Sequence, residues 1–348
     1  STSLVALCRG AQQLVMLGDQ YQLPPTVIAS HPAAAAAGQP LFNRLLHEGL
    51  PSHMLDTQYR MHPALSQLPS DLIYGGNLQD GVSAAERPTP PGFAWPRPEW
   101  PVALLPVQGS ESSEGSSKLN RAEADAIAQV VAGLLRAGLA ASAVGVITPY
   151  SAQVRVLRSN LRSQGVPVGR DSAPSPNGGP RGMGVEVSSV DGFQGREKEV
   201  IVFSAVRANN HGALGFLADA RRLNVSFTRA RRGLIVVGHP PTLAREQGTW
   251  ARWLRWARAN GLVVGEHASG TYDAAEVRAA SHALMAAQLK KDAEPPENRS
   301  APGMGNGMGN GMGDGMGNGM GHGMGHGMGH GASNGVSNGV SNGVSNGV

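Results

Sequence analysis

Apolar residues in this chain fall into short runs, separated by stretches with helical spacing. The runs are 14–17 (LVML), 102–105 (VALL), 144–148 (VGVIT), 200–206 (VIVFSAV) and 234–238 (LIVVG). Continuous apolar runs of this kind predict strands buried on both faces. Between them, residues 121–136 place Ile127, Val130, Val131, Leu134 and Leu135 on one helical face, with Asn120 positioned as N-cap. Segments 151–163, 219–232 and 249–259 carry the same spacing. Strands alternating with helices predict an α/β fold, a parallel sheet with helices on both faces. Ligands of such sheets sit at the C-terminal ends of the strands. "GDQYQ" (18–22) and "TPYSAQ" (148–153) fall at two such ends, and Gln22, between a tyrosine and two prolines, reads as a side chain aimed at a ligand.

Two segments break the alternation. Residues 81–118 are rich in Pro and Ser, with Trp95 and Trp100 in "GFAWPRPEWP", and predict a long loop or inserted flap. Residues 165–184 predict a mobile loop. From about residue 295 the chain becomes repetitive, with "GMGN", "GMGD" and "GMGH" units over 303–330 and "SNGV" units to 348. Glycine at every second position does not repay backbone ordering entropy, so a disordered tail is expected. His322, His326 and His330 recur every fourth residue, but without a helix to align them they read as part of that tail, not as a metal site. Trp250, Trp253 and Trp256 are spaced three apart, which reads as helix packing in preference to base stacking.

Charge narrows the partners. The chain has 348 residues and a formal net charge of +4, and 25 of its 29 basic residues are arginine. Guanidinium binds phosphate through two parallel hydrogen bonds, so nucleotide or nucleic-acid partners are favoured. A single cysteine, Cys8, excludes an internal disulfide framework and Cys-rich zinc modules; a reducing compartment, cytoplasmic or nuclear, is expected. No apolar run approaches the ~20 residues needed to span a bilayer. Ser1 is not an initiator methionine and no leader follows it, so a piece of a longer chain or a processed one, without a signal peptide, is expected.

The usual grip on ATP is missing from these residues. A phosphate-binding loop ends in Gly-Lys-Ser/Thr, yet none of Lys118, Lys198, Lys290 and Lys291 follows a glycine, and no Asp-Glu pair follows a strand. Other stretches carry charge where strands and helices begin: "LDTQYRMHP" (55–63), "SSVDGFQGREKEVIVFSAVRA" (188–208) and "ADARRLNVSFTRARRG" (218–233). If 219–232 is helical, Arg229 and Arg231 point about 200° apart and cannot serve one phosphate. Asn224, Ser226 and Phe227 would then fix the helix, with Arg221 and Arg222 toward solvent, acid partners or a nucleic-acid backbone.

In order, "GDQYQLPP", "QYRMHP", "TPYSAQ", "VDGFQGRE" and "NVSFTRARRG" resemble motifs III to VI of superfamily one helicases of the up-frameshift type, the regulators of nonsense transcripts. The resemblance spans residues 4–265 and extends to "LQDGVSAAERP", "WPRPEWP" and "KLNRAEAD". It implies a RecA-like P-loop NTPase fold. Residues 1–50 would hold the end of the first RecA-like lobe and a linker, 51–265 the second lobe, 266–302 a helical extension and 303–348 the tail. It implies ATP and Mg²⁺, both held mainly by a first lobe lying upstream, with Gln22 sensing the γ-phosphate and Arg60 and Arg229 as arginine fingers. Tyr59, Gly195 and Glu197 would lie at the nucleotide, and Thr148, Pro149, Tyr150, Gln153, Ser189 and Asp191 at the nucleic acid; for Tyr150 ordinary packing is an equal alternative. The implied function is 5′-to-3′ RNA unwinding in nonsense-mediated mRNA decay, in the cytoplasm, with single-stranded RNA and mRNA decay factors as partners and no membrane. "QLPP" and "VDGFQG" depart toward the wider superfamily of DNA and R-loop helicases, and "SF" and Arg232 in "NVSFTRARRG" also vary from the decay helicase. A helicase acting on DNA or RNA–DNA hybrids, or a non-catalytic regulator binding RNA or protein, are the alternatives.

Expressed alone, the chain is therefore expected to hydrolyse no ATP above background. Steady turnover that survives removal of contaminating ATPases would contradict this.

Overall fold

The apolar runs pair side by side, because a strand that is apolar on both faces is buried only inside a covered sheet. The computed structural model describes residues 8–10, 12–24, 40–169, 183–246 and 248–293. In chain order the first half holds α1 (Leu41–His47), β1 (Thr57–Gln58), α2 (Pro63–Ile73), β2 (Gln79–Asp80), β3 (Val102–Pro106), β4 (Ser112–Glu114) and β5 (Ser117–Leu119). There follow α3 (Arg121–Arg136), β6 (Val144–Thr148), α4 (Ser151–Ser163), β7 (Glu186–Ser189), α5 (Val190–Phe193) and β8 (Lys198–Ser204). The last group is α6 (Ala220–Phe227), β9 (Ala230–Gly238), α7 (Pro240–Arg245), α8 (Thr249–Ala259) and α9 (Ala274–Ala293).

Strands β3, β9, β8, β6 and β7, in that spatial order, make a five-stranded sheet that is parallel throughout. Side chains alternate across a strand, and β8 shows the sorting. Ile201 and Phe203 join a core with Leu104, Ile147, Leu234 and Val236 beneath α2, α6 and α8. Val200 and Val202 join the opposite core with Val144, Val146, Ile235 and Val237 beneath α3 and α4. This is the α/β, RecA-like architecture, with helices on both faces of a parallel sheet.

Local rules explain the helices. Asn120 Oδ1 accepts from Glu123 N at 3.2 Å and starts α3, a cap worth about 1 kcal/mol. Ile127, Val130, Val131 and Leu134 turn inward as the spacing predicts. The three tryptophans of α8 are all buried. Trp253 lies 5.6 Å from the Phe227 ring and 5.7 Å from Trp250, and Trp250 Nε1 donates to Leu217 O at 2.8 Å. They dock a helix; they do not present rings to solvent.

Three expectations are corrected. Residues 14–17 form no strand, and Val15 and Leu17 are 87% and 88% exposed, since no described strand offers them a ladder partner and a lone apolar run gains nothing by extending. The helix expected over 219–232 ends at Phe227, and Arg231 and Arg232 belong to β9. Thr228 N closes the helix on Asn224 O at 3.0 Å, and Lys198 N then donates to Arg229 O at 3.0 Å, which draws the chain into the sheet. The segment 81–118 is not one loop: around the strand expected at 102–105, which is edge strand β3, it also supplies most of hairpin β4–β5. The Gly/Met repeats with His322, His326 and His330, and most of the 165–184 loop, lie outside the described residues.

Trp253→Ala is expected to destabilise the fold by about 3–5 kcal/mol, as large-to-small changes in a packed core do. Arg255→Ala, on the exposed side of α8, should stay within about 0.5 kcal/mol. Urea unfolding of the two variants checks both.

Candidate functional site

Basic side chains converge where β8 and β9 begin. Arg60 follows β1 on the turn before α2, Glu197 immediately precedes β8, and Arg229 sits between α6 and β9. Arg60 Nε donates to Glu197 Oε2 at 2.6 Å, and its Nη1 donates to Thr228 O at 2.9 Å. Arg229 is buried, with Nε on Val225 O at 2.9 Å and Nη2 on Thr228 Oγ1 at 2.9 Å. Burial first, and then the neighbouring Arg60 charge, pull the Arg229 guanidinium down to about 10. The Arg60 hydrogen bond, with Arg231 and Arg229 adding attraction, holds the Glu197 carboxyl below its ordinary value. Arg231 Nη1 reaches Glu199 at 3.1 Å and its Nε lies 3.8 Å from Glu197. Arg231 is therefore on a strand beside the cluster, not on the far side of a helix, and no helical rotation separates it from Arg229.

Gln22 comes to the same region through a chain of hydrogen bonds. Its Nε2 donates to Asp19 Oδ2 at 2.9 Å, and Tyr74 OH donates to that same oxygen at 2.7 Å. Asn224 Nδ2, on α6, donates to Tyr74 OH at 2.9 Å and to Tyr21 O at 3.0 Å. Burial and the Asp19 charge push the Tyr74 phenol well above its ordinary value, so it stays a donor. Asp19, Gln22, Leu23, Phe42, Asn43 and Gln194 line a cleft of about 530 Å³. These groups gather near the N-terminal ends of β8 and β9, and since 14–17 forms no strand, "GDQYQ" does not follow one as expected. Tyr59 is 67% exposed, and Gly195 turns with φ +78° into open space.

A second set lies at the C-terminal edge of the sheet. Thr148 and Ser189 are register partners that close β6 and β7, and Pro149 leads from β6 into α4. Ser189 Oγ caps α5, accepting from Gly192 N at 3.2 Å, and Asp191 lies 3.7 Å from Arg222. Tyr150 is buried and donates to Leu214 O at 3.0 Å, which is the packing alternative. Gln153 is fully buried: its Oε1 accepts from Asn120 N at 2.9 Å, and its Nε2 donates to Asn120 O and Ser204 Oγ, each at 3.0 Å. The side chains of Gln153 and Thr148 are thus corrected from nucleic-acid contacts to interior groups; the Gln153 amide is saturated by the chain, and Thr148 has no exposed surface. Phe216 went unnoticed in the sequence. It is 54% exposed, with the Arg222 guanidinium 5.1 Å from its ring centre. Arg221 is buried against Asp219 at 3.0 Å, away from solvent.

Arg60, Arg229 and Gln22 bring hydrogen-bond donors and positive charge to this region. Among the described residues no group of three His, Cys, Asp or Glu side chains could hold a metal ion, and no helix is long and apolar enough to cross a membrane.

Residues 37–241 match the family described as AAA domain. The regulator of nonsense transcripts 1 homolog of Drosophila melanogaster is 41% identical over 263 residues, 75% of this chain and 21% of that protein. The ATP-dependent helicase NAM7 of Saccharomyces cerevisiae is 39% identical over 273 residues, 78% of this chain and 27% of that protein. The chain thus spans between a fifth and a third of the length of these relatives. Among solved structures, the C-terminal domain of a possible DNA helicase from Lactobacillus plantarum aligns with a TM-score of 0.32 and 14% identity, over 52% of this chain and 88% of that one.

The network behind the C-terminal edge yields a pH prediction. Glu123 is fully buried and accepts from Ser204 Oγ at 2.7 Å and Val206 N at 2.8 Å. Burial pushes its carboxyl up to about 8 from 4.5. A raised acid contributes stability that is full below the unfolded value and is lost as pH rises through the folded one. Glu123→Gln is therefore expected to lose less stability than the wild type between pH 4.5 and about 8. His62 and His239, both lowered chiefly by burial, bias the wild-type slope the other way, so the difference between the two urea-midpoint profiles is the quantity to measure.

Proposed function

The chain belongs to the AAA domain family and is similar to the regulators of nonsense transcripts, and from that premise we propose that it is the C-terminal portion of an ATP-dependent RNA helicase of nonsense-mediated mRNA decay, moving 5′ to 3′. The observation that supports this most is the convergence of Arg60 and Arg229 about Glu197, with Gln22 tied through Asp19, Tyr74 and Asn224 to α6, the helix that ends just before Arg229. A buried guanidinium next to a second one is unfavourable by itself. It becomes useful where negative charge develops during a reaction.

In this reading Arg60 and Arg229 meet the γ-phosphate oxygens of ATP as charge spreads over them. Arg60 has Nη2 for this, since Nε and Nη1 are the atoms held by Glu197 and Thr228. Gln22 senses the same phosphate, and the Asp19–Tyr74–Asn224 chain ties its position to α6. Tyr59 offers a ring to the base, with Gly195 and Glu197 beside the ribose or base edge. In this reading ATP and Mg²⁺ are held mainly by a first lobe outside this chain, where bound Mg²⁺ would neutralise phosphate charge. Pro149, Ser189 and Asp191 contribute to the RNA face, and the buried Thr148, Tyr150 and Gln153 hold the backbone behind it. Residues 1–50 supply the end of the first lobe, 51–265 the second lobe and 266–302 the helical extension. Decay factors would be its partners, in the cytoplasm.

In the full-length protein, Arg60→Ala and Arg229→Ala are expected to lower RNA-stimulated kcat by roughly 10²–10⁴ while changing ATP affinity much less, the mark of lost transition-state stabilisation. Lysine should rescue poorly, because a point charge does not reproduce the planar fork. Melting curves taken in parallel separate chemistry from folding, which matters most for buried Arg229. A fully active, stably folded Arg60→Ala protein would sink the reading.

A further inference from the structure

The segment that includes β2 and runs to Arg87 lies outside motifs III to VI, within the stretch "LQDGVSAAERP" to which the resemblance extends, and it holds the Tyr59–Arg60 turn from behind. Strand β1 pairs with β2 through Thr57↔Gln79 and Gln58↔Asp80. Gln58 Oε1 accepts from Arg60 N at 2.9 Å and Met61 N at 2.7 Å, and its Nε2 donates to Asp80 Oδ1 at 2.6 Å. Arg87 then crosses the turn: Nε donates to Arg60 O at 2.9 Å and Nη2 donates to Tyr59 O at 2.9 Å. Consecutive carbonyls point apart in extended backbone, so one guanidinium edge reaches both only where the chain turns tightly. Gly81 completes the arrangement. A Cβ built on it would lie 2.3 Å from Tyr59 Cε1 and 2.6 Å from Cδ1, so the ring lies directly on the Gly81 backbone with its remaining surface toward solvent.

We infer that Arg87 and Gly81 are positioning residues that set the Arg60 guanidinium and the Tyr59 ring as one unit. The inference rests on the nucleotide roles proposed above for Tyr59 and Arg60. Arg87 touches neither side chain: it holds the two backbone carbonyls from which they project. Gly81 supplies a flat support, because any side chain there would push the ring aside. The two act on different halves of the unit. Loss of the Arg87 fork frees both residues, whereas a methyl group at Gly81 moves only the exposed ring.

The test uses steady-state kinetics in the full-length protein together with NMR of this chain. Arg87→Ala is expected to lower kcat by about 10²-fold, the cost of misplacing a catalytic group by about an ångström, and also to raise the KM for ATP. Arg87→Lys should recover little of this, since one ammonium cannot span two fixed carbonyls; full recovery would reduce Arg87 to a local charge and overturn the inference. Gly81→Ala should raise KM about tenfold while kcat changes less than about threefold, as for lost binding that is equal in ground and transition states. A Gly81→Ala fall in kcat with unchanged KM would also overturn it. In the 348-residue chain, the Arg60 Nε–H signal, held by Glu197 at 2.6 Å, should move in Arg87→Ala and stay in Gly81→Ala. If Arg60→Ala abolishes turnover but Arg87→Ala leaves kcat, KM and that signal unchanged, the positioning role is wrong and the nucleotide reading survives. If Arg60→Ala is itself neutral, the nucleotide reading fails, and the Arg60 signal alone then decides the clamp: a shift in Arg87→Ala upholds it and an unmoved signal overturns it.

Discussion

Strand β8 is the fixed point of the molecule. It is paired on both sides, with β6 and β9, and covered on both faces, so neither end can shift without breaking a ladder and two cores. Glu197 precedes its first residue, and the Ala205–Arg207 turn follows its last, Ser204. That turn is costly. Val206 is held at φ +69°, a left-handed conformation that costs a β-branched residue about 1–3 kcal/mol. Val206 N donates to Glu123 at 2.8 Å and Val206 O accepts from Asn120 Nδ2 at 3.2 Å. Gln153 ties Asn120 to Ser204. The buried polar network thus offsets the strain at one end, while the other end is left to charge.

At that other end the balance is between like charges. Arg229 is buried at 3% exposure, and its hydrogen-bond partners in the cluster are neutral oxygens, Val225 O and Thr228 Oγ1. Glu197 pairs with Arg60 at 2.6 Å and Glu199 with Arg231 at 3.1 Å and Arg232 at 3.9 Å, so two carboxylates face four guanidiniums and Arg229 bonds to neither. An ion pair built for stability alone would match charges one to one, since a buried charge without a full partner is expensive. The surplus of positive charge, kept in place by β8, β9 and α6, is the physical reason to read the cluster as a site for an anion.

How much of this was legible in the sequence depended on whether the decisive contacts were local. The strands over 144–148 and 234–238 and the helices over 121–136, 151–163 and 249–259 follow from apolar period and capping, and they form. The helix end at Phe227 does not follow, because "TRARR" is as acceptable in a helix as in a strand. What decides it is Lys198 N bonding to Arg229 O, 31 residues away in sequence. Leu14–Leu17 read as a buried strand because composition reports what a segment would bury, never whether a neighbour is there to bury it. Gln153 read as a surface amide because its partners, Asn120 and Ser204, lie 33 and 51 residues away. Arg87 was invisible for the opposite reason: it bonds only to main-chain carbonyls, which leave no mark in the partner's residue type.

The two ends of the sheet are joined by short buried elements. Helix α6 carries Arg222 near its start and runs into Thr228 and Arg229 at its end, and an eight-residue helix spans only about 12 Å. Seven of its residues are buried, and Phe227 is wedged between Phe203, Trp250 and Trp253. A rod packed this way resists bending, so its termini keep their spacing. Val190 and Phe193 of α5 are fully buried beside it, with Ser189 and Asp191 at one end and Gly195 and Glu197 following at the other. Ser189, Asp191 and Arg222 at the C-terminal edge and Glu197 and Arg229 at the N-terminal edge are therefore attached to the same two pieces, and Arg60 joins them through its bonds to Glu197 and Thr228 O. The separation between the two candidate sites is set by the length of α6 and by the aromatic core that holds it, and not by the loops that carry the exposed side chains.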